Sequence, residues 1–186
     1  TVLHLLSIGS GTILAEPGPR LLSAEISERH LRRFLATFGP VGCAVRKAAD
    51  SLLDLSGRLL PQFWGRLARP RAEELLQGRP PGAYLVRTHG TKIIVSYTSR
   101  SAGGIVRHCG LTNAGAAGFA VCAGTPPNAP QPQLFPSLRH FLLHCSDTLS
   151  APLACPSAEQ WNAGLARSRQ LDQACVAIRQ PLPGLK

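Results

Sequence analysis

The sequence predicts an α+β fold: a small antiparallel β-sheet flanked by a helix on each face, preceded by an α-helical hairpin linker. Three observations lead there. Two apolar stripes at helical spacing precede Pro61, with Gly39-Pro40 between them. Three β-rich runs then follow over residues 83–111, joined by short links that contain glycine. Further helical patterns bracket those runs, at about 70–77 and 134–145. A sheet lying between helices buries both of its faces.

Taken in order, residues 2–8 and 12–15 are short β-like runs around Gly9-Ser10-Gly11, either a hairpin or the tail of a preceding domain. Pro17-Gly18-Pro19 breaks the chain. A helix is expected from Ser23, an N-cap residue, to Phe38, with Ile26, Phe34, Leu35 and Phe38 recurring on one face. A second helix is expected from Gly42 to Leu60, with Val45, Ala48, Leu52 and Leu59 in its stripe. Such a hairpin needs a surface to pack against, and Trp64 is placed to seal that contact.

Pro70 suits the first turn of a third helix ending near Gln77. Ala83–Thr88, Lys92–Ser99 and Gly104–Leu111 then form a meander, because His89-Gly90-Thr91 and residues 100–103 are tight links. Phe119–Cys122 is a last short strand, residues 125–133 a Pro-rich loop. Leu134 or Phe135 to Cys145 is a fourth helix and Ser157–Leu171 a fifth. The expected divisions are residues 1–19, a β-like segment; 20–61, the helical linker; 62–155, the sheet-containing domain; and 156–186, a C-terminal helix and tail.

Composition narrows the class. The 186 residues are 44% hydrophobic and 16% charged, which suits a globular chain with one good core or a small domain plus an appendage. Lys plus Arg is 20 against 10 for Asp plus Glu, and the net +10 favours anionic partners. The six cysteines, 43, 109, 122, 145, 155 and 175, form no CxxC pair and several lie in apolar runs. They read as reduced thiols of an intracellular protein, cytoplasmic or nuclear. No apolar run approaches the roughly 20 residues of a membrane span, so no membrane partner is expected. The start at Thr1, and a sequence without Met, read as the cut edge of a larger protein rather than a signal peptide.

The stretch Gly82-Ala83-Tyr84-Leu85-Val86-Arg87 is an apolar strand ending in one arginine, and it reads as the floor of an anion pocket. With Trp64-Gly65-Arg66-Leu67-Ala68-Arg69, Val106-Arg107-His108 and Phe135-Pro136-Ser137-Leu138-Arg139-His140-Phe141-Leu142-Leu143-His144, it resembles the Src-homology-2 family of phosphotyrosine-binding modules over residues 62–155. Four pieces in the right order carry the resemblance; each alone is common.

The resemblance implies a phosphotyrosine-binding site with no cofactor, no metal and no catalysis. Arg87 would grip the phosphate with its planar fork. Arg69 would cover it from the helix, Thr88, His89 and Thr91 would lie in the cradle, and His108 would flank the tyrosyl ring. Cys109, the strand around Phe119 and the loops at 112–118 and 145–155 would read the following peptide residues. The partner implied is a tyrosine-phosphorylated protein or peptide. The sequence departs from the family where His89 stands in place of the usual Ser, and the loop after Arg87 is short, with fewer hydroxyls. Residues 48–64 also resemble the end of the helical linker in signal transducer and activator of transcription (STAT) proteins. That likeness implies a transcription regulator that dimerises through a phosphotyrosine outside this chain, since Tyr84 and Tyr97 both lie in expected strands.

Other chemistries fit less well. His140 and His144, with Cys145 adjacent, have zinc-ligand spacing but lack a further ligand set. Ser7, Ser10 and Ser56 lack the strand–turn–helix context of a nucleophile, and Glu73-Glu74 points to two faces of one helix. Gly9-Ser10-Gly11 lacks the Lys of a phosphate loop. The rival classes are nucleic-acid binding through Arg29, Arg32 and Arg33 or Arg66, Arg69 and Arg71, and a degenerate scaffold of the same family that binds no phosphotyrosine. Few aromatics are available to stack on bases, so nucleic acid is not the expected partner.

Overall fold

The structure, a computed structural model, describes residues 28–101, 103–122, 132–163 and 166. The β-like runs expected at 2–8 and 12–15, and the N-cap at Ser23, lie outside the described residues. Helix α1, Glu28–Phe38, buries Phe34, Thr37 and Phe38. Gly39 then takes φ +100°, a left-handed turn that glycine adopts without strain. The Pro40 carbonyl accepts the N–H groups of Cys43 and Ala44, opening helix α2, Val41–Leu52.

The second helix stops at Leu52, eight residues before the expected end at Leu60. The cause is local. Asp54 Oδ1 accepts the N–H groups of Ser56 and Arg58, both at 2.9 Å, and the Ser56 hydroxyl at 2.6 Å. A side chain that collects backbone donors in this way competes with the helix for them. The chain turns at Gly57, and Leu59 returns to pair with Leu53 in an isolated antiparallel bridge.

The fold is α+β, with a mostly antiparallel seven-stranded sheet. Strands β2 (Ala83–His89), β3 (Lys92–Thr98) and β4 (Val106–Asn113) form the meander, in register Val86–Val95 and Val95–Cys109. Strand β5 (Phe119–Cys122) adds to β4, and β6 (Leu134–Phe135) to β5. Strands β1 (Phe63–Arg66) and β7 (Ala151–Pro152) both pair with β2 and run parallel to it. Strands β1, β6 and β7, of two to four residues, are too short to show an alternation, so the sheet is wider than the four strands expected from sequence.

Helix α3, Arg69–Leu76, lies on one face of the sheet, where Ala72, Leu76, Ala83 and Leu85 make a small core. Helix α4, Leu138–His144, lies on the other. It starts later than expected because Leu134–Phe135 are drawn into the sheet and Ser137 Oγ caps the helix by accepting the His140 N–H. Residues 156–163 are helical, the described part of the expected fifth helix.

The larger core lies on the α4 face. Phe34, Phe38, Ala44, Ala48 and Leu52 of the hairpin join Tyr84, Val86, Ile93, Val95, Leu111, Phe119 and Leu138 in one buried cluster. The helical hairpin therefore finds its packing surface on the sheet itself. Trp64 lies at the boundary, packed against both cores, and its Nε1 donates to the Leu153 carbonyl at 3.0 Å. Among the described residues, no helix is long and apolar enough to cross a membrane.

A candidate anion pocket under helix α3

Alternation along β2 places Ala83, Leu85 and Arg87 toward α3, and Tyr84, Val86 and Thr88 toward the larger core. Across the sheet the register sets Ser96 of β3 opposite His108 of β4 on the α3 side. One apolar strand thus carries a single guanidinium to the sheet face where α3 begins.

Arg87 is only 2% exposed. Its Nε donates to Ser96 Oγ at 3.0 Å, and one terminal nitrogen donates to the Leu67 carbonyl at 3.1 Å. A guanidinium has five N–H donors, and these two bonds leave three. Burial first, and then the nearby Arg69 charge, lower the Arg87 pKa, while Glu73 opposes them.

The hydrogen bonds continue in a chain. Ser96 Oγ lies 2.9 Å from His108 Nδ1, and His108 Nε2 lies 3.0 Å from Glu73 Oε1. The same carboxylate oxygen accepts Arg69 Nε–H at 2.8 Å. One proton assignment satisfies every member. Arg87 donates to Ser96, the Ser96 hydroxyl donates to His108 Nδ1, and His108 Nε2–H donates to Glu73. The Arg69 and His108 hydrogen bonds hold the Glu73 carboxyl below the usual carboxylate range.

The structure thus brings Arg87, Arg69 and His108 of the expected site together. It does not gather the others. Thr88 is buried on the opposite side of the sheet, because one residue along a strand reverses the side chain. His89 is exposed at the strand end, paired with Lys92. Thr91 is exposed and lines a separate hollow with Glu28, Arg29, Arg32 and Arg33 of α1.

The expected peptide-reading positions also move. Phe119 is fully buried, with Phe38 of α1 edge-on to its ring at 6.3 Å and Lys47 Nζ over it at 4.5 Å. Lys47 also donates to Asn113 Oδ1 and to the carbonyls of Gly115 and Gly118, so α2 clamps the β4–β5 turn. A side chain enclosed in this way has no surface to offer a peptide. Cys109 points to the larger core, and burial, with Cys145 and Cys122 nearby, pushes its thiol up to about 11.

Ser96 is not singled out by sequence, and Glu73 enters there only as half of a carboxylate pair on two helix faces. Glu73 had a readable signal: it lies one helical turn after Arg69, the i,i+4 spacing of an ion pair. Ser96 is a polar residue inside the β-rich run 92–98, but its place beside Arg87 depends on strand register. Among the described residues, no cluster of three metal-ligating side chains occurs. His140 Nδ1 instead lies 2.9 Å from Ser137 Oγ, and the His144 ring packs against Phe135.

No family model and no curated protein matches the chain. Among solved structures, one similar to it is the solution NMR structure of the SH2 domain of a CRK/CRKL homolog from Monosiga brevicollis. It is 24% identical, with a TM-score of 0.40, covering 51% of this chain and 88% of that one.

Proposed function

We propose that this chain is a phosphotyrosine-peptide-binding module of the Src-homology-2 kind, acting in intracellular signalling by binding rather than catalysis. The observation that carries the reading is Arg87: a buried guanidinium, anchored by Ser96 and the Leu67 carbonyl, with three N–H donors left over. A buried cation is costly without a counter-charge, and a dianionic phosphate on a long aromatic side chain supplies charge and reach together. In this reading Arg69 and His108 flank the phosphate and its ring, and both share the Glu73 carboxylate beside Arg87. The five described cysteines are free thiols, in keeping with a reducing compartment.

The finer assignment is a STAT-like transcription regulator. It rests on the leucine-rich stretch before Trp64 and on a helical hairpin that leads directly into the sheet domain and shares its core. A reciprocal phosphotyrosine would then lie outside this chain.

A second reading, a scaffold that binds no phosphate, is favoured by the 2% exposure of Arg87 and by the Glu73 carboxylate already in the pocket. A phosphotyrosine peptide array, read beside the unphosphorylated set, separates the two. Selective capture of phosphorylated peptides supports the binding module, and equal capture supports the scaffold. Nucleic-acid binding would appear instead as an affinity that falls steeply with salt and ignores tyrosine phosphorylation.

A further inference from the structure

We propose that Glu73 is a built-in counter-anion that closes the pocket and competes with the ligand's phosphate for Arg69 and His108. The inference rests on the phosphate-pocket reading and adds how that pocket is regulated.

A single oxygen, Glu73 Oε1, takes both donors that flank Arg87, Arg69 at 2.8 Å and His108 at 3.0 Å. Its neighbour Glu74 is turned away to Arg71 at 2.7 Å, so the two adjacent carboxylates have different duties. With Arg87 2% exposed, a phosphate reaches it only if something moves.

The anchors beneath Arg87 are fixed, because Ser96 is fully buried and the Leu67 carbonyl belongs to the backbone. The movable groups are the side chains of Arg69 and Glu73, 69% and 40% exposed. Binding is then an exchange. Glu73 swings toward solvent, and Arg69 passes from a carboxylate to a phosphate of higher charge and three acceptor oxygens. If Glu73 stayed in place it would repel the incoming anion. The same carboxylate offsets the repulsion between Arg69 and Arg87, two like charges brought close by the fold.

The test is a double-mutant cycle on the full chain, read by titration with a fluorescent phosphotyrosine peptide taken from an array probed with both the unmutated protein and Glu73→Gln. Glu73→Gln keeps the size of the side chain and removes its charge, and should bind about tenfold tighter than the unmutated protein, the effect of one charge-assisted contact. Arg69→Ala should lose more affinity in the Glu73→Gln background than in the unmutated one, because Arg69 is then free for the ligand. Glu73→Ala checks the sign, and a thermal melt of each variant confirms folding. If the unmutated protein binds through Arg87 while Glu73→Gln binds equally or more weakly, the competition is overturned and the pocket stands. If neither protein binds phosphotyrosine peptide, the pocket reading falls and the competition with it. Binding by Glu73→Gln alone supports both.

Discussion

Arg87 Nε donates to Ser96 Oγ at 3.0 Å across the β2–β3 pair, so the guanidinium is aimed from below by the sheet itself. Ser96 also lies 2.9 Å from His108 Nδ1, and so one hydroxyl orients two walls of the pocket. Ser96→Ala would leave a buried guanidinium N–H without its acceptor. The expected cost is about 1–3 kcal/mol of stability, measured by denaturant unfolding. Phosphotyrosine-peptide affinity should fall in the same variant, because Arg87 and His108 lose their shared anchor.

The hairpin and the sheet meet at Phe38 and Phe119, both fully buried, with rings nearly perpendicular. Phe38→Ala should cost about 3–5 kcal/mol, the usual range for emptying an aromatic site in a core. A loss below about 1 kcal/mol, the scale of ordinary surface changes, would mean that the hairpin contributes little to the sheet domain's stability.

Gly118 has φ +100°, and a Cβ there would run into the backbone of Phe135 and Pro136. Gly118→Ala should destabilise by roughly 2 kcal/mol or more, combining backbone strain with a clash that no rotamer relieves. Gly90 also has positive φ, but a Cβ there meets open space. Gly90→Ala should therefore cost only the conformational penalty, about 1–2 kcal/mol. Parallel unfolding curves for the two variants separate strain from close approach.

The carboxyls of Asp54 and Glu73 are both held below their usual range. For Asp54 the Ser56 hydrogen bond is the main cause; for Glu73 it is the Arg69 hydrogen bond. A carboxyl whose folded pKa is depressed adds stability above its unfolded pKa and loses it as pH falls through the folded one. Unfolding free energy should therefore decline as pH drops from neutral through the carboxylate range. Asp54→Asn should flatten part of that decline, and an unchanged slope would show that the Asp54 turn does not contribute.

Much of this architecture is legible in the sequence, for identifiable reasons. The central strands show because β-branched runs are separated by short glycine links, and α3 shows because Pro70 opens it. The early end of α2 is hidden, because leucines at helical spacing continue past Asp54 while the Asp54 side chain diverts the backbone. Arg87 is readable as a pocket floor because it ends an apolar strand, whereas Arg69 and His108 are legible only through the resemblance of the surrounding pieces to a known family. Thr88 is misleading because adjacency in a strand means opposite faces. Phe119 is misleading because its partners, Phe38 and Lys47, come from a distant part of the chain. Glu73 is the inverse case: its sequence spacing predicts only an ordinary helix ion pair, and tertiary placement brings it beside His108.

The most direct measurement is the binding of one peptide in phosphorylated and unphosphorylated forms to the unmutated protein and to Arg87→Ala, by isothermal titration. A phosphate pocket built on Arg87 predicts binding of the phosphorylated form only, lost in Arg87→Ala with the thermal transition still cooperative. Equal affinity for both forms of the peptide, or phosphopeptide binding unaffected by Arg87→Ala, would contradict it.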